Sequence, residues 1–298
     1  MLIWPVQVLW SLLGWQRILL LNYCEYFHMK LIKPLLLLLL IGATACTSTT
    51  ELAMPEPAKP TVLITGASRG IGYELARQYA AAGWGVIATC RNPATAEQLQ
   101  VLAAVNPKVI IEQLDVTDFD EMDALAARYK GVPIDVLINN AGILGGNERQ
   151  KFGSFDYTAF DEIMAVNVVG PIRMVELFVD NVAASEQKKI INISSSVGSV
   201  SMAFPGQNFY KASKSALNMS MKIIAKELKG SKDPDRKQIV VGLIHPGVVR
   251  TEFAGNVPIP MIEPEESAAA VIEVIDTYYV SRRQSGDFMS YTGKKLPW

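Results

Sequence analysis

With 298 residues, half of them apolar, the chain is long enough for one large domain with a sizeable buried core and a tail besides. Its formal net charge of −1, without a Lys/Arg stripe, excludes the basic footprint of a nucleic-acid binder. Three widely spaced cysteines, Cys24, Cys46 and Cys90, make neither a disulfide framework nor a metal quartet. The two histidines, His28 and His245, supply neither a metal-binding cluster nor a Ser-His-Asp triad.

Residues 1–60 differ from all that follows. Met1–Leu21 is apolar and rich in Trp and Leu. Met29-Lys30-Leu31-Ile32-Lys33 then precedes the apolar run Leu35–Leu40, with small residues up to Cys46. A basic start, a short apolar core and small residues before a cut are the layout of a secretory signal. Ala43-Thr44-Ala45-Cys46 resembles a bacterial lipoprotein processing box, departing from it at Ala43, where such boxes more often carry Leu. Thr47–Lys59, flanked by Pro60 and carrying Pro55 and Pro57, suits a linker. Two other readings stay open: an apolar anchor that is never cut, or translation starting at Met29 or Met54. A genuine leader predicts a membrane-associated protein tethered through its N-terminus; a start at Met54 predicts a cytoplasmic one.

From Thr61 short apolar runs alternate with helical patterns. Thr61–Thr65 reads as a strand, followed by the glycine-rich Gly66–Gly72. A helix then has Ile71, Leu75, Gln78, Tyr79 and Ala82 on one face and stops at Gly83. Trp84–Cys90 is a strand, Ala94–Ala104 a helix, Val109–Leu114 a strand, and Asp118–Lys130 a helix capped by Thr117 or Asp118. Val136–Ile138 is a short strand leading into Asn139-Asn140-Ala141-Gly142. Phe155–Val179 is a long helix, bent near Gly170-Pro171. Strand Lys189–Ser194, helix Phe209–Leu228, strand Gln238–His245, helix Pro264–Tyr279 and strand Asp287–Tyr291 complete the series. Strands and helices in this alternation form right-handed βαβ units. The fold class expected for residues 61–298 is therefore α/β, a single doubly wound Rossmann-type domain with a parallel sheet covered on both faces.

Two stretches carry chemistry on their own residues. Gly66-x-x-x-Gly70-x-Gly72, between a strand and a helix, lets a pyrophosphate approach backbone N–H groups at the helix N-terminus; Ser68, Arg69 and Ile71 fill the loop. At the end of the second strand, where an NAD site usually places a carboxylate, stand Cys90 and Arg91. With Arg69, these cations favour NADP(H) over NAD(H), unless Arg91 is only a solvated turn residue. Asp115-Val116, closing the third strand, are placed to contact the adenine. In Tyr210-x-x-x-Lys214 the spacing puts phenol and ammonium on one helix face. A positive charge there favours the phenolate, which brings the tyrosine closer to use as an acid or base near neutral pH.

The ordered set Thr65-Gly66-x-x-x-Gly70-Ile71-Gly72, Asn139-Asn140-Ala141-Gly142, Asn167, Ser194-Ser195-Ser196, Tyr210-x-x-x-Lys214 and Pro246-Gly247 resembles the short-chain dehydrogenase/reductase family over residues 61–298. The tail Phe288–Trp298, Ser215-Ala216-Leu217-Asn218 and His245-Pro246-Gly247 resemble its C-factor/sniffer-like carbonyl reductase branch. The resemblance implies hydride transfer between nicotinamide and a small carbonyl or alcohol substrate. It makes Tyr210 the proton donor or acceptor, and has Lys214 lower the Tyr210 pKa and bond the nicotinamide ribose. A strand-end serine would orient the substrate oxygen; Ser195 aligns best, although the loop from it to Tyr210 is slightly longer than the commonest spacing. Asn167, at the helix kink, would hold a water on the proton path, or else bond backbone. Asn139 would pair with neighbouring strands, Asn140, Ala141 and Gly142 would let the cofactor pass, and Pro246, Gly247, Val249 and Thr251 would border the nicotinamide and phosphates. Phe204, Phe209, Phe253, Val257 and Met261 are candidates for an apolar substrate pocket. Family analogy adds a homodimer or homotetramer. A non-catalytic dinucleotide-binding or signalling protein on the same scaffold is the alternative.

Overall fold

The computed structural model describes residues 60–255 and 259–298. The leader with its processing and start-site alternatives, Cys24, Cys46 and Val257 lie outside the described residues.

Among the described residues the apolar runs become seven strands: β1 (Thr61–Ile64), β2 (Gly85–Cys90), β3 (Val109–Gln113), β4 (Val136–Asn139), β5 (Lys189–Ile193), β6 (Val240–His245) and β7 (Phe288–Ser290). They form one sheet in the order β3-β2-β1-β4-β5-β6-β7. Every pairing is parallel, for example Val62 with Val86 on one side and with Val136 on the other. Strands buried on both faces have no polar side, which is why β1, β2 and β4 read as continuous apolar runs. The helices among the described residues are α1 (Gly70–Ala81), α2 (Glu97–Val105), α3 (Phe119–Arg128), α4 (Tyr157–Met164), α5 (Gly170–Ala183), α6 (Asn208–Lys229) and α7 (Pro264–Thr277). Side chains alternate across the sheet. Val62 and Ile64 meet Leu75 and Tyr79 of α1 and Val271 and Ile275 of α7 in one apolar layer. Leu63 meets Met122 of α3, Phe178 of α5 and Met221 of α6 in the other. The doubly wound expectation holds.

Three elements differ from expectation. The helix expected over 94–104 starts as a separate 3₁₀ turn, Pro93–Thr95, because the Asn92 side chain accepts the Ala94 N–H before α2 begins. On α1 the burial falls on Leu75, Ala76 and Tyr79, and Ala82 is exposed. The long helix expected over 155–179 is broken one turn before Gly170-Pro171: Ala165–Val169 forms a wide π turn between α4 and α5, in which the Gly170 N–H reaches back to the Ala165 carbonyl. Pro171 has no N–H to offer the carbonyl four residues behind it, that of Asn167, so the regular ladder cannot run through. Asp118, of the two caps expected for α3, is the one that accepts the Glu121 N–H, at 3.0 Å.

Among the described residues no helix is long and apolar enough to cross a membrane.

Candidate active site

In an open parallel sheet the strand order reverses where β1 and β4 lie side by side, and a crevice opens beyond the carboxyl ends of the strands there. The loops leaving β1 through β6 all enter this crevice, a cleft of about 2550 Å³. Thr65 ties its two central walls together, its hydroxyl accepting the N–H groups of Asn140 and Ala141 at 3.0 and 3.1 Å. The Asn140 amide returns two bonds, to the carbonyls of Thr65 and Gly66. This packing leaves no room at Gly72, where a Cβ would stand 2.3 Å from the Gly66 carbonyl oxygen and 2.5 Å from the Asn140 Nδ2. Gly66, at φ +67°, would set a Cβ 3.0 Å from the Ala141 Cα. The residue that precedes α1, Arg69, makes no side-chain cap, so the helix opens its first turn to the cleft. A cradle of bare backbone at an uncapped helix N-terminus fits a pyrophosphate. Ser68, Arg69, Gly70 and Ile71 line it, as do Arg91, Asp115 and Val116 at the next two strand ends.

The charges around this cradle are partly committed. Arg69 Nη1 lies 2.6 Å from Glu252 Oε2, joining the glycine loop to the segment after β6 across the cleft; both side chains are largely exposed. Arg91 stands exposed at the rim beyond the buried Cys90. The Asp115 carboxylate accepts the N–H and the hydroxyl of Thr117.

Tyr210 and Lys214 occupy the first turns of α6, buried on the same face. Burial pushes the Tyr210 phenol up to about 12, while a hydrogen bond with Ser195 pulls the other way. Burial likewise pushes the Lys214 ammonium down to about 8. The lowered phenol expected from the neighbouring lysine is therefore not what this structure holds. Lys214 Nζ donates to the Ile193 carbonyl at 2.9 Å and stands 5.9 Å from the centre of the Tyr210 ring, and desolvation of the phenol dominates. Among the three strand-end serines the geometry separates the roles. Ser194 is buried, donating to Asn218 Oδ1 at 2.6 Å, whereas the Ser195 hydroxyl meets Tyr210. Ser196 begins the 3₁₀ turn Ser196–Gly198.

Of the residues expected to act in catalysis or hold the cofactor, Asn167 does not line the cleft. It sits fully buried in the π turn, where its Oδ1 accepts the Ile143 N–H at 2.8 Å and its Nδ2 donates to the Ile143 carbonyl and to Ser213 Oγ. Its side chain thus bonds backbone, across to the loop after β4 rather than within its own helix. A Cβ on Gly142 would lie 3.3 Å from Asn167 Oδ1 and 3.7 Å from Lys214 Nζ, so the bare glycine packs against both groups, of which Lys214 itself lines the cleft. Pro246, Gly247, Val249 and Thr251 line the opposite wall.

The apolar pocket differs in membership from expectation. Phe204 and Phe253 line the cleft, Phe253 edge-on to Tyr210 at 5.8 Å between ring centres. Phe209 instead points into a separate core with Ala159 and Ile163, because a helix side chain one position before Tyr210 faces away from it. Met261 is not in the cleft wall either, and Ile143, Leu144, Phe152 and Ile259 are. Two residues escaped sequence reasoning. Gln150, sixty positions before Tyr210, bonds the Tyr210 N–H, and no local pattern marks it. His245 lines the cleft with its Nδ1 buried and without a partner among the described residues; burial lowers its pKa to about 4.

The family model described as short chain dehydrogenase matches residues 60–260. A 1-hydroxy-2-glutathionyl-2-methyl-3-butene dehydrogenase of Rhodococcus sp. (strain AD45) is 32% identical over 243 residues, spanning 80% of this chain and 99% of its own. The NADPH-bound carbonyl reductase from chicken fatty liver superposes with a TM-score of 0.72 at 30% identity, over 80% of this chain and 98% of that one. The carbonyl reductase Sniffer of D. melanogaster does so with a TM-score of 0.69 at 28% identity, over 80% and 99%. Cradle, tyrosine–lysine pair and sheet order thus occur together in a chain that belongs to the short chain dehydrogenase family of oxidoreductases and resembles the Sniffer carbonyl reductase among its members.

Proposed function

We propose that residues 61–298 form an NADP(H)-dependent carbonyl reductase that interconverts a small carbonyl compound and its alcohol. The observation that carries this reading is the convergence of Ser195, Tyr210 and Lys214 on the cleft floored by the glycine cradle. The phosphate preference rests on Arg69 and Arg91 at the adenosine end, with Cys90 where a carboxylate would repel a 2′-phosphate. The NADPH in the chicken enzyme's structure is consistent with it.

The nicotinamide dinucleotide, held by the glycine cradle and by Lys214, supplies or accepts the hydride when bound. The chain's residues handle the proton and the oxygen. With its pKa held up to about 12, the Tyr210 phenol is protonated at neutral pH and stands ready as a donor to an oxygen gaining negative charge. Ser195, already bonded to Tyr210, offers a second hydroxyl to the same oxygen and fixes its position. As the proton leaves, the Lys214 ammonium favours the phenolate that remains. Burial of Tyr210 and Lys214 keeps bulk water from the exchange.

Tyr210→Phe in the full-length protein is the test, with NADPH consumption measured against a panel of aldehydes and ketones. Turnover is expected to fall by roughly 10²-fold or more, the scale of a lost general acid, with NADPH affinity unchanged within about twofold. Parallel loss of both would contradict the role given to Tyr210.

A further inference from the structure

A helix leaves its first N–H groups without intrahelical partners, and a side chain at the N-cap normally takes one of them. In α6 the N-cap residue is Gln207, in the left-handed region at φ 51°, and its side chain makes no cap. The third N–H of the helix belongs to Tyr210 itself. It donates instead to Oε1 of Gln150, at 2.7 Å. Gln150 is 1% exposed and has both amide hydrogens engaged as well, Nε2 donating to the carbonyls of Leu144 at 2.7 Å and Gly146 at 3.0 Å. One amide therefore fastens the loop after β4 to the backbone of the tyrosine.

The carbonyl of the same residue is held through the same loop. The Tyr210 carbonyl accepts the Ser213 hydroxyl at 2.7 Å, Ser213 Oγ accepts from Asn167, and Asn167 clamps both the N–H and the carbonyl of Ile143. Ile143, Leu144 and Gly146 line the cleft. Tyr210 is thus held at its N–H directly by Gln150 and at its carbonyl by Ser213, which Asn167 backs, and both amides bond the one loop stretch 143–146.

We propose that Gln150 is a positioning residue for Tyr210, capping the catalytic helix from outside and setting the phenol's register against the loop that faces the substrate. The inference rests on Tyr210 being the proton donor, although the bond itself can be examined without turnover. An error of about 1 Å in a reacting group can reduce a rate about 10²-fold, so a lost brace registers in kcat even when the fold survives.

The test compares Gln150→Leu and Gln150→Glu in the full-length protein by residue-resolved amide exchange and by steady-state kinetics with NADPH. In Gln150→Leu the Tyr210 amide is expected to exchange about tenfold faster or more, while amides from Leu217 onward keep their protection. Its kcat is expected to fall about tenfold or more with NADPH affinity within about twofold of the parent. Gln150→Glu keeps an oxygen for the Tyr210 N–H and regains an O–H donor only when its carboxyl is protonated. Its kcat relative to the parent should therefore climb as pH is lowered, a limb that a merely structural residue would not create. Should Gln150→Leu not fold, this limb and a parent-like Tyr210 exchange rate in Gln150→Glu carry the decision. Unchanged Tyr210 exchange in Gln150→Leu, a flat pH ratio in Gln150→Glu, or kcat and NADPH affinity falling together would overturn the proposal. A parent protein that reduces no carbonyl would refute the functional reading alone, and the exchange measurement would still decide the brace.

Discussion

At Lys214 burial and chemistry pull in opposite directions. Its ammonium is desolvated beneath Gly142, which lowers its pKa from the ordinary 10.5 to about 8. Below pH 8 folded and unfolded chains both carry the proton, and the fold bears the full cost of the buried charge. Between pH 8 and 10.5 the unfolded chain holds a proton that the folded one has shed, so this residue's penalty fades as pH rises. Lys214→Met is thus expected to stabilise the protein at pH 7 by on the order of 1–2 kcal/mol, after allowing for the Ile193 carbonyl left without its donor. It should give no such gain at pH 10.5, and should abolish turnover. Calorimetry at the two pH values checks this; a lower Tm at pH 7 would refute it. His245 acts at the acid end. Its pKa, lowered from 6.5 to about 4 by burial, means the unfolded chain takes up a proton first. Stability should fall as pH drops from 6.5 to 4, and His245→Asn should flatten that limb of a pH-dependent unfolding series.

Among the elements, the glycine loop is the least forgiving. Gly72→Ala forces a Cβ against the backbone carbonyl of Gly66 and against the Asn140 side-chain amide, which two hydrogen bonds hold in place. Overpacking of this kind costs about 1–3 kcal/mol, so chemical denaturation should show a loss of that size, with dinucleotide binding weakened as well. The Arg69–Glu252 pair is a contact of another kind. It is exposed on both sides and spans from the glycine loop to the segment after β6. In Glu252→Gln the freed guanidinium is expected to tighten NADPH binding by roughly two- to fivefold at low salt, with NADH affinity unchanged. Equal effects on the two cofactors would disprove competition between Glu252 and a 2′-phosphate. These elements also show what a sequence discloses. Strands buried on both faces and a glycine loop between strand and helix leave local patterns, and so does Tyr-x-x-x-Lys. The π turn at Ala165–Val169 does not, because it arises from the missing donor of Pro171 acting on a carbonyl a turn away. Gln150 does not either: its partners lie four to sixty residues off, and nothing about a glutamine in a polar loop announces a helix cap. The sequence hides the place of Phe209 for a related reason, since its helix has an apolar layer on the side away from the cleft.

For the whole molecule, the sheet order accounts for why residues scattered from Gly66 to Thr251 meet in one crevice. Each strand of the parallel sheet ends on the same side, so every loop that follows a strand is delivered there. Alternation of strand and helix was enough to read this architecture, whereas the partners of Arg69 and Asn167 depend on how loops pack and had to be seen. The same order has a consequence for the growing chain. Of the described strands β1 is made first, yet it ends up in the interior of the sheet, between β2 and β4. Until Val136–Ile138 leave the ribosome, one edge of Val62–Ile64 has no strand to bond, although those residues are fully buried at the end. A nascent chain halted before β4 would present that apolar edge to any neighbouring strand, the geometry that chaperones shield and aggregates exploit.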